Sequence, residues 1–103
     1  MSVMRGCGRC AGVGSLEIRT PMALTAAIRE VRRLVREGVL AESLRWPART
    51  PRLFSRPLAE LPEAGPWDDI VQNYLECPAC GRLFLLHADV YHGAGGRFEP
   101  HIP

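Results

Sequence analysis

The sequence predicts an α+β fold in which one N-terminal amphipathic helix packs on a small antiparallel β-sheet. Apolar residues recur at helical spacing over residues 21–37, and two apolar runs of strand type flank a Cys-Pro-Ala-Cys-Gly turn. The chain has 103 residues, which is enough for one hydrophobic core but not for two. We therefore expect a helix followed by a sheet that contains a CPxCG knuckle hairpin.

Composition and length place the chain among ordinary globular proteins. Its residues are 47% hydrophobic and 23% charged. We expect one α+β domain over residues 21–103, preceded by a segment, residues 1–20, that is flexible or tethered by a metal. Met22 opens a stretch typical of a protein start. A second interpretation is therefore that residues 1–21 are an upstream extension of the reading frame. No apolar run approaches the roughly 18 residues of a membrane span, and no signal peptide is recognisable, so we expect a cytoplasmic protein with no membrane partner.

The helix over residues 21–37 has a signal at each end and an apolar stripe between them. Thr20 suits the N-cap, Pro21 suits the first helical position, and Gly38 suits the end of the helix. The stripe follows the i, i+3, i+4, i+7 spacing that places side chains on one helix face. It consists of Leu24, Ala27, Ile28, Val31, Leu34 and Val35.

The basic residues, all arginine, concentrate in the middle of the chain. Residues 29–56 carry eight arginines against three glutamates, whereas residues 57–103 carry two arginines against seven acids. On the helix, Glu30 and Glu37 have the spacing to pair with Arg33. The two halves either neutralise each other or leave a basic surface for nucleic acid over residues 29–56. On the helix, that surface would consist of Arg29, Arg32, Arg33 and Arg36.

The remainder of the chain predicts a connector and then a sheet. Residues 39–66 contain five prolines, which exclude a long helix or a central strand, so we expect short elements at most. From Trp67 onward the pattern is extended, and we predict strands at about 69–77 and 82–91 and a third around 97–99. The glycine-rich residues 93–96 do not open a helix, as a phosphate loop would, and are interpreted as a turn.

Two CxxC pairs are the strongest signals for chemistry. Cys77 and Cys80 lie in a CPxCG turn between two predicted strands, and such a turn aims two thiolates at one point. Cys7 and Cys10 would complete a site of four sulfurs, although 66 residues separate the pairs where a compact zinc ribbon has about 15–20. An N-terminal knuckle that folds back against the C-terminal hairpin would resolve this spacing.

Two alternatives to the four-sulfur site remain open. In the first, His87 or His92 supplies nitrogen ligands beside Cys77 and Cys80, and in the second, the turn binds no metal. A redox role is disfavoured because neither CxxC pair precedes a helix, whose N-terminus would lower the thiol pKa. No catalytic signature is present, so a metal-dependent hydrolase using His87, His92 and the nearby aspartates is a minor alternative, and an enzyme is less favoured than a binding protein.

The CPxCG hairpin resembles the zinc knuckle of zinc-ribbon and rubredoxin-like modules. This resemblance implies a structural zinc ion and no particular reaction. The C-terminal half also resembles a set of short bacterial proteins without assigned activity. Some small proteins of this general kind are immunity partners of bacterial toxins. This second resemblance implies a non-enzymatic protein that binds one protein partner, of immunity or regulatory type. The residues that carry it are Trp67, Asp68, Asp69, Cys77, Cys80, Gly81, Tyr91, His92, Gly93, Gly95 and Gly96.

The sequence therefore favours a small binding module with a structural zinc knuckle or its relic, acting by protein–protein contact. The predicted contact surface consists of Trp67, Asp68 and Asp69 together with the acidic C-terminal half. Nucleic-acid binding through residues 29–56 is the first alternative, and the metal-dependent hydrolase is the second.

Overall fold

A computed structural model describes residues 7–43 and 57–101 of the chain. In this part of the chain one helix lies against a five-stranded, wholly antiparallel sheet with strand order β1-β5-β4-β3-β2, which confirms the α+β prediction. The elements in chain order are β1 (Leu16–Ile18), α1 (Pro21–Arg36), β2 (Ala41–Glu42), a 3₁₀ helix (Leu58–Glu60), β3 (Ile70–Glu76), β4 (Leu83–Asp89) and β5 (Gly95–Pro100).

Helix α1 begins and ends close to where the sequence places it. The hydroxyl of Thr20 accepts a hydrogen bond from the Ala23 N–H at 3.0 Å, and Pro21 occupies the first turn, where its missing N–H needs no partner. The helix ends at Arg36, one residue before the predicted end, and Glu37 forms the C-cap. The helix prediction is confirmed.

The core lies between α1 and one face of the sheet. Five residues of the predicted stripe are buried and Val35 is partly buried against them. Sheet residues meet them from the other side, and the rings of Phe84 and Phe98 stack with centroids 5.9 Å apart. Each large apolar side chain buried here stabilises the fold by about 1.5–3 kcal/mol. The sheet side of the core is formed by Val71, Leu75, Phe84, Leu86, Ala88 and Phe98.

The predicted hairpin and third strand are both present. Strands β3 and β4 pair from Ile70 opposite Asp89 to Glu76 opposite Leu83, so both are slightly shorter than predicted. Strand β5 is longer than the predicted 97–99 and lies between β4 and β1. The glycine-rich residues 93–96 form the turn into β5 and its first two positions, as the turn interpretation requires.

Two short strands have no counterpart in the sequence prediction. Strand β1 comes from the segment expected to be flexible or metal-tethered, and it pairs with β5 while burying Ile18. Strand β2 pairs with β3 at the opposite edge. The predicted connector contributes β2 and the 3₁₀ helix, whereas Arg45, Arg49, Arg52 and Arg56, with the rest of residues 44–56, lie outside the described residues.

Within residues 7–43 and 57–101, no helix has the length and apolar character needed to cross a membrane.

Candidate metal centre

Four cysteine sulfurs meet at one end of the sheet. Cys7 and Cys10 come from the turn before β1, and Cys77 and Cys80 come from the turn between β3 and β4. All four Sγ atoms lie within 4.8 Å of one another, and all four cysteines are free thiols. The sequence prediction that the two CxxC pairs approach each other across 66 residues therefore agrees with the fold. We call these four residues the cysteine cluster.

Three of the six sulfur–sulfur distances within the cysteine cluster match the edges of a metal-bound tetrahedron, and the others are within 4.8 Å. The Sγ atoms of Cys7 and Cys77 are 3.6 Å apart, those of Cys10 and Cys80 are 3.7 Å apart, and those of Cys7 and Cys10 are 4.0 Å apart. A tetrahedral zinc ion with Zn–S bonds of 2.3 Å has sulfur–sulfur edges of about 3.8 Å. A disulfide, by contrast, has its sulfurs about 2.05 Å apart. The spacing therefore fits four ligands around one ion.

The two turns share one local geometry. In each, the carbonyl oxygen of the first cysteine accepts a hydrogen bond from the N–H four residues later, from Ala11 to Cys7 at 2.9 Å and from Gly81 to Cys77 at 2.7 Å. The second turn also needs Gly81, whose φ of +79° lies in the left-handed region that glycine adopts without strain. Local hydrogen bonding thus aims each pair of thiols before the two turns meet.

The cluster is open on one side and closed on the other. Cys10 and Cys77 are buried, Cys7 is half-buried and Cys80 is exposed. An ion can therefore reach the sulfurs from solvent, while the buried pair ties the site to the hydrophobic core. A metal bound here would anchor the core as well as the surface turns.

Backbone dipoles and burial act in opposite directions on the thiols. Backbone hydrogen bonds from Cys7 and Arg82 lower the pKa of Cys80 to about 6, and those from Cys10 and Arg9 lower the pKa of Cys7. Burial, with smaller contributions from the neighbouring thiols, raises the pKa of Cys10 to about 12. The two more accessible sulfurs are thus stabilised as thiolates, whereas ionisation of the buried Cys10 requires a compensating cation.

The histidines proposed as alternative ligands lie elsewhere. His87 is on β4, opposite Gln72 and Arg97. His92 follows β4, and its Nδ1 lies 2.9 Å from Oδ2 of Asp89, whose Oδ1 accepts the His92 backbone N–H. In the part of the chain that the structure describes, the cysteine cluster is the one group of three or more potential metal ligands, so His87, His92 and the nearby aspartates do not gather into a second group.

The predicted contact residues lie beside the end of β4. The Trp67 indole N–H donates to the carbonyl oxygen of Pro62 at 2.8 Å, and the ring lines a small pocket. The backbone oxygen of Asp69 accepts hydrogen bonds from the N–H groups of Val90 and Tyr91. The Asp69 side chain is exposed, and Asp68 is half-buried. Sequence reasoning missed the pocket, for which Trp67 was the only local signal.

Three of the four helix arginines have partners within the fold. Arg33 bonds both Glu30 and Glu37, which confirms that predicted pairing and lowers the pKa of Glu30. The Arg29 guanidinium lies 3.0 Å from the Glu63 carboxylate. Much of the basic charge on α1 is therefore balanced by acids of this chain, although only Glu63 among these acids comes from the acidic C-terminal half. Arg32, the third arginine with partners, is described next, and Arg36 is exposed.

Arg32 holds the 3₁₀ helix against α1. Its guanidinium donates to the carbonyl oxygens of Leu58, Ala59 and Leu61, and the Leu58 oxygen also accepts the Leu61 N–H that closes the 3₁₀ turn. No local pattern predicts these contacts, because the partners lie 26 to 29 residues away along the chain.

Replacing Arg32 with methionine is expected to lower the free energy of unfolding by about 1–3 kcal/mol, because carbonyl oxygens that it satisfies lose a charged donor. Urea unfolding followed by circular dichroism measures the change. The matched control, Arg36→Met, removes the same charge from an exposed position and is expected to change stability by less than about 1 kcal/mol. Equal losses for the two variants would contradict a specific role for Arg32.

Comparison of the chain with protein-family models, curated proteins and solved structures finds no match to any of them. Inference about function therefore starts from the chain's own residues.

Proposed function

We propose that the protein is a small, non-enzymatic binding module whose fold is held together by one structural zinc ion. The cysteine cluster binds the ion, and the surface around Trp67, Asp68 and Asp69 contacts a protein partner. The observation that carries the proposal is the spacing of the four sulfurs: three of their six separations are 3.6–4.0 Å, close to the edge of a zinc tetrathiolate, and all six are within 4.8 Å.

The ligand set supports a structural rather than a catalytic metal. A catalytic zinc ion keeps one position for water or substrate, whereas four protein sulfurs fill the tetrahedron. Soft thiolate ligands select zinc or iron over magnesium and calcium, and of zinc and iron only zinc carries no redox chemistry. The role that remains for the ion is to join its ligands.

The ion would join the N-terminal turn of the described chain to its central hairpin. Cys7 and Cys10 precede β1, and Cys77 and Cys80 join β3 to β4, so the bound metal holds an edge strand's leading turn against the central hairpin. Metal binding of this kind contributes directly to folding free energy, because the unfolded chain does not hold the four sulfurs together.

Native mass spectrometry of the full chain, purified under reducing conditions without a histidine tag, tests the metal. We expect one zinc ion per chain, and none in the double variant Cys7→Ser, Cys10→Ser. The variants His87→Ala and His92→Ala are the matched controls and are expected to retain zinc. A metal-free full chain, bound iron, or zinc lost in either histidine variant would each overturn the proposed site.

Cobalt substitution gives an independent readout of the ligands. Co²⁺ in a tetrahedral four-thiolate site shows intense visible absorption and sulfur-to-metal charge-transfer bands, whereas sites with nitrogen ligands absorb at shifted energies. We expect the four-thiolate spectrum for the full chain and for both histidine variants. A spectrum that changes in His87→Ala would assign that histidine as a ligand instead.

A further inference from the structure

A small pocket lies where α1 begins, next to the turn between β4 and β5. Its volume is about 80 Å³, and its lining includes the buried apolar side chains of Ile18, Leu24 and Ala88. Further apolar lining residues are Pro21, Trp67 and Val90. A space of this size and character accommodates one aliphatic side chain. We call it the Trp67 pocket.

The indole that lines the pocket is held in place before any ligand arrives. Its Nε1–H donates to the carbonyl oxygen of Pro62 at 2.8 Å, and its ring packs against Gly65, where a Cβ atom would lie 3.5 Å from two ring carbons. A rigid aromatic side chain loses little conformational entropy on binding. Such residues are the usual anchors of protein interfaces.

Among the described residues, the large apolar side chains that are exposed belong to sequence neighbours of residues that line this pocket. They are Met22, 82% exposed, and Tyr91, 70% exposed. Met22 follows Pro21 and Tyr91 follows Val90, and both of those neighbours line the pocket. Exposed apolar groups around a concave apolar site are typical of a surface that binds another molecule.

The surroundings of the pocket carry net negative charge. Asp89 lines it, with both carboxylate oxygens hydrogen-bonded to His92, and the exposed Asp69 lies beside it because its backbone oxygen bonds the N–H groups of Val90 and Tyr91. The one arginine in the lining, Arg19, is paired with Glu17 at 2.7 Å, so it does not offset these carboxylates. A partner with positive charge beside an apolar group complements this surface.

We infer that the Trp67 pocket binds an aliphatic side chain of a protein partner, flanked in the partner's sequence by basic residues. The apolar side chain enters between Trp67 and Val90, while a basic residue pairs with the exposed Asp69 and the charge of Asp89, which stays bonded to His92, adds to the attraction. This inference rests on the proposed binding-module function and specifies which partner that module selects.

Nuclear magnetic resonance of the ¹⁵N-labelled, zinc-loaded full chain tests the inference. The probe is the capped peptide Ac-Arg-Leu-Arg-NH₂, and the signals followed are the Trp67 indole N–H, assigned with Trp46→Phe, and the Val90 amide. We expect saturable shifts at peptide concentrations up to about 10 mM. Ac-Arg-Ala-Arg-NH₂ is expected to bind about tenfold more weakly, because it lacks most of the apolar side chain, and Ac-Glu-Leu-Glu-NH₂ is expected to cause no saturable shift.

Surface variants separate a specific site from general attraction between charges. Asp69→Lys and Tyr91→Ala change exposed side chains, and each is expected to weaken binding of Ac-Arg-Leu-Arg-NH₂ at least about threefold. Glu60→Lys makes the same charge change as Asp69→Lys, at an exposed position that does not line the pocket, and is expected to leave binding unchanged.

Equal shifts with all three peptides, no saturable shift, or equal effects of Asp69→Lys and Glu60→Lys would each overturn the inference. Mass spectrometry of the same samples records zinc content. A zinc-loaded chain that binds none of the peptides therefore removes the Trp67 pocket as a site and leaves the structural zinc standing.

Discussion

Replacing Cys10 with serine is expected to lower the midpoint of thermal unfolding by more than about 10 °C, which corresponds to at least about 2 kcal/mol for a chain of this size. Cys10 is fully buried and its Sγ lies 3.7 Å from that of Cys80, so the variant removes one of four metal ligands from the core. Zinc binding contributes about 10–16 kcal/mol in zinc-finger peptides, which is comparable to the net stability of about 5–15 kcal/mol of a whole domain. Circular dichroism in reducing buffer measures the midpoint.

A chelator distinguishes loss of the metal from loss of a packed thiol. Excess chelator should destabilise the unsubstituted chain about as much as Cys10→Ser does, and should have no further effect on that variant. Added zinc should restore only the unsubstituted chain. His92→Ala, whose exposed imidazole lies outside the cysteine cluster, should remain as sensitive to the chelator as the unsubstituted chain. An unchanged midpoint after chelation would show that the cysteine cluster does not hold a stabilising metal.

Replacing Gly96 with alanine is expected to destabilise the protein by at least about 3 kcal/mol. A Cβ at this position would overlap the carbonyl oxygen of His87 and lie 2.8 Å from the Cα of Ala88. Both atoms are backbone of β4, which pairs with β3 on its other side, so the neighbour has no room to move. The expected consequence is loss of the close pairing between β4 and β5. Urea unfolding measures the change, provided that the slope of the transition is the same in both chains.

Gly14→Ala is the matched control for this substitution. Gly14 has ordinary backbone angles, and a Cβ built there meets no atom within 4 Å. The same chemical change should therefore alter stability by less than about 0.5 kcal/mol. A loss at Gly96 no larger than the loss at Gly14 would contradict the close approach of the two strands.

Local patterns were sufficient to predict the helix and the central hairpin. The stripe from Leu24 to Val35 and the cap at Thr20 are signals contained within one helix. The CPxCG turn between two apolar runs likewise specifies β3 and β4 from neighbouring residues. The pairing of Arg33 with Glu30 and Glu37 follows from helical spacing alone. Each of these features depends on residues close together in sequence.

Features that depend on distant residues were predicted incompletely or not at all. Strand β1 has three residues and β2 has two, which is too short for a recognisable alternation of apolar and polar side chains. The four cysteines could be named from two CxxC pairs, but their meeting depends on β1 pairing with β5. The contacts of Arg32 with the 3₁₀ helix and the Trp67 pocket likewise join distant segments of the chain.

The pairing of the first strand with the last also sets the order of events during synthesis. Strand β1 ends at Ile18, and its partner β5 begins at Gly95. At about 5–20 residues per second, a ribosome needs on the order of 4–15 s to add the intervening residues. During that interval β1 lacks its partner strand, and the thiols of Cys7 and Cys10 have no sulfurs to meet until Cys77 and Cys80 have been added. The metal centre and the sheet are thus completed only after both strands of the central hairpin and β5 have been made.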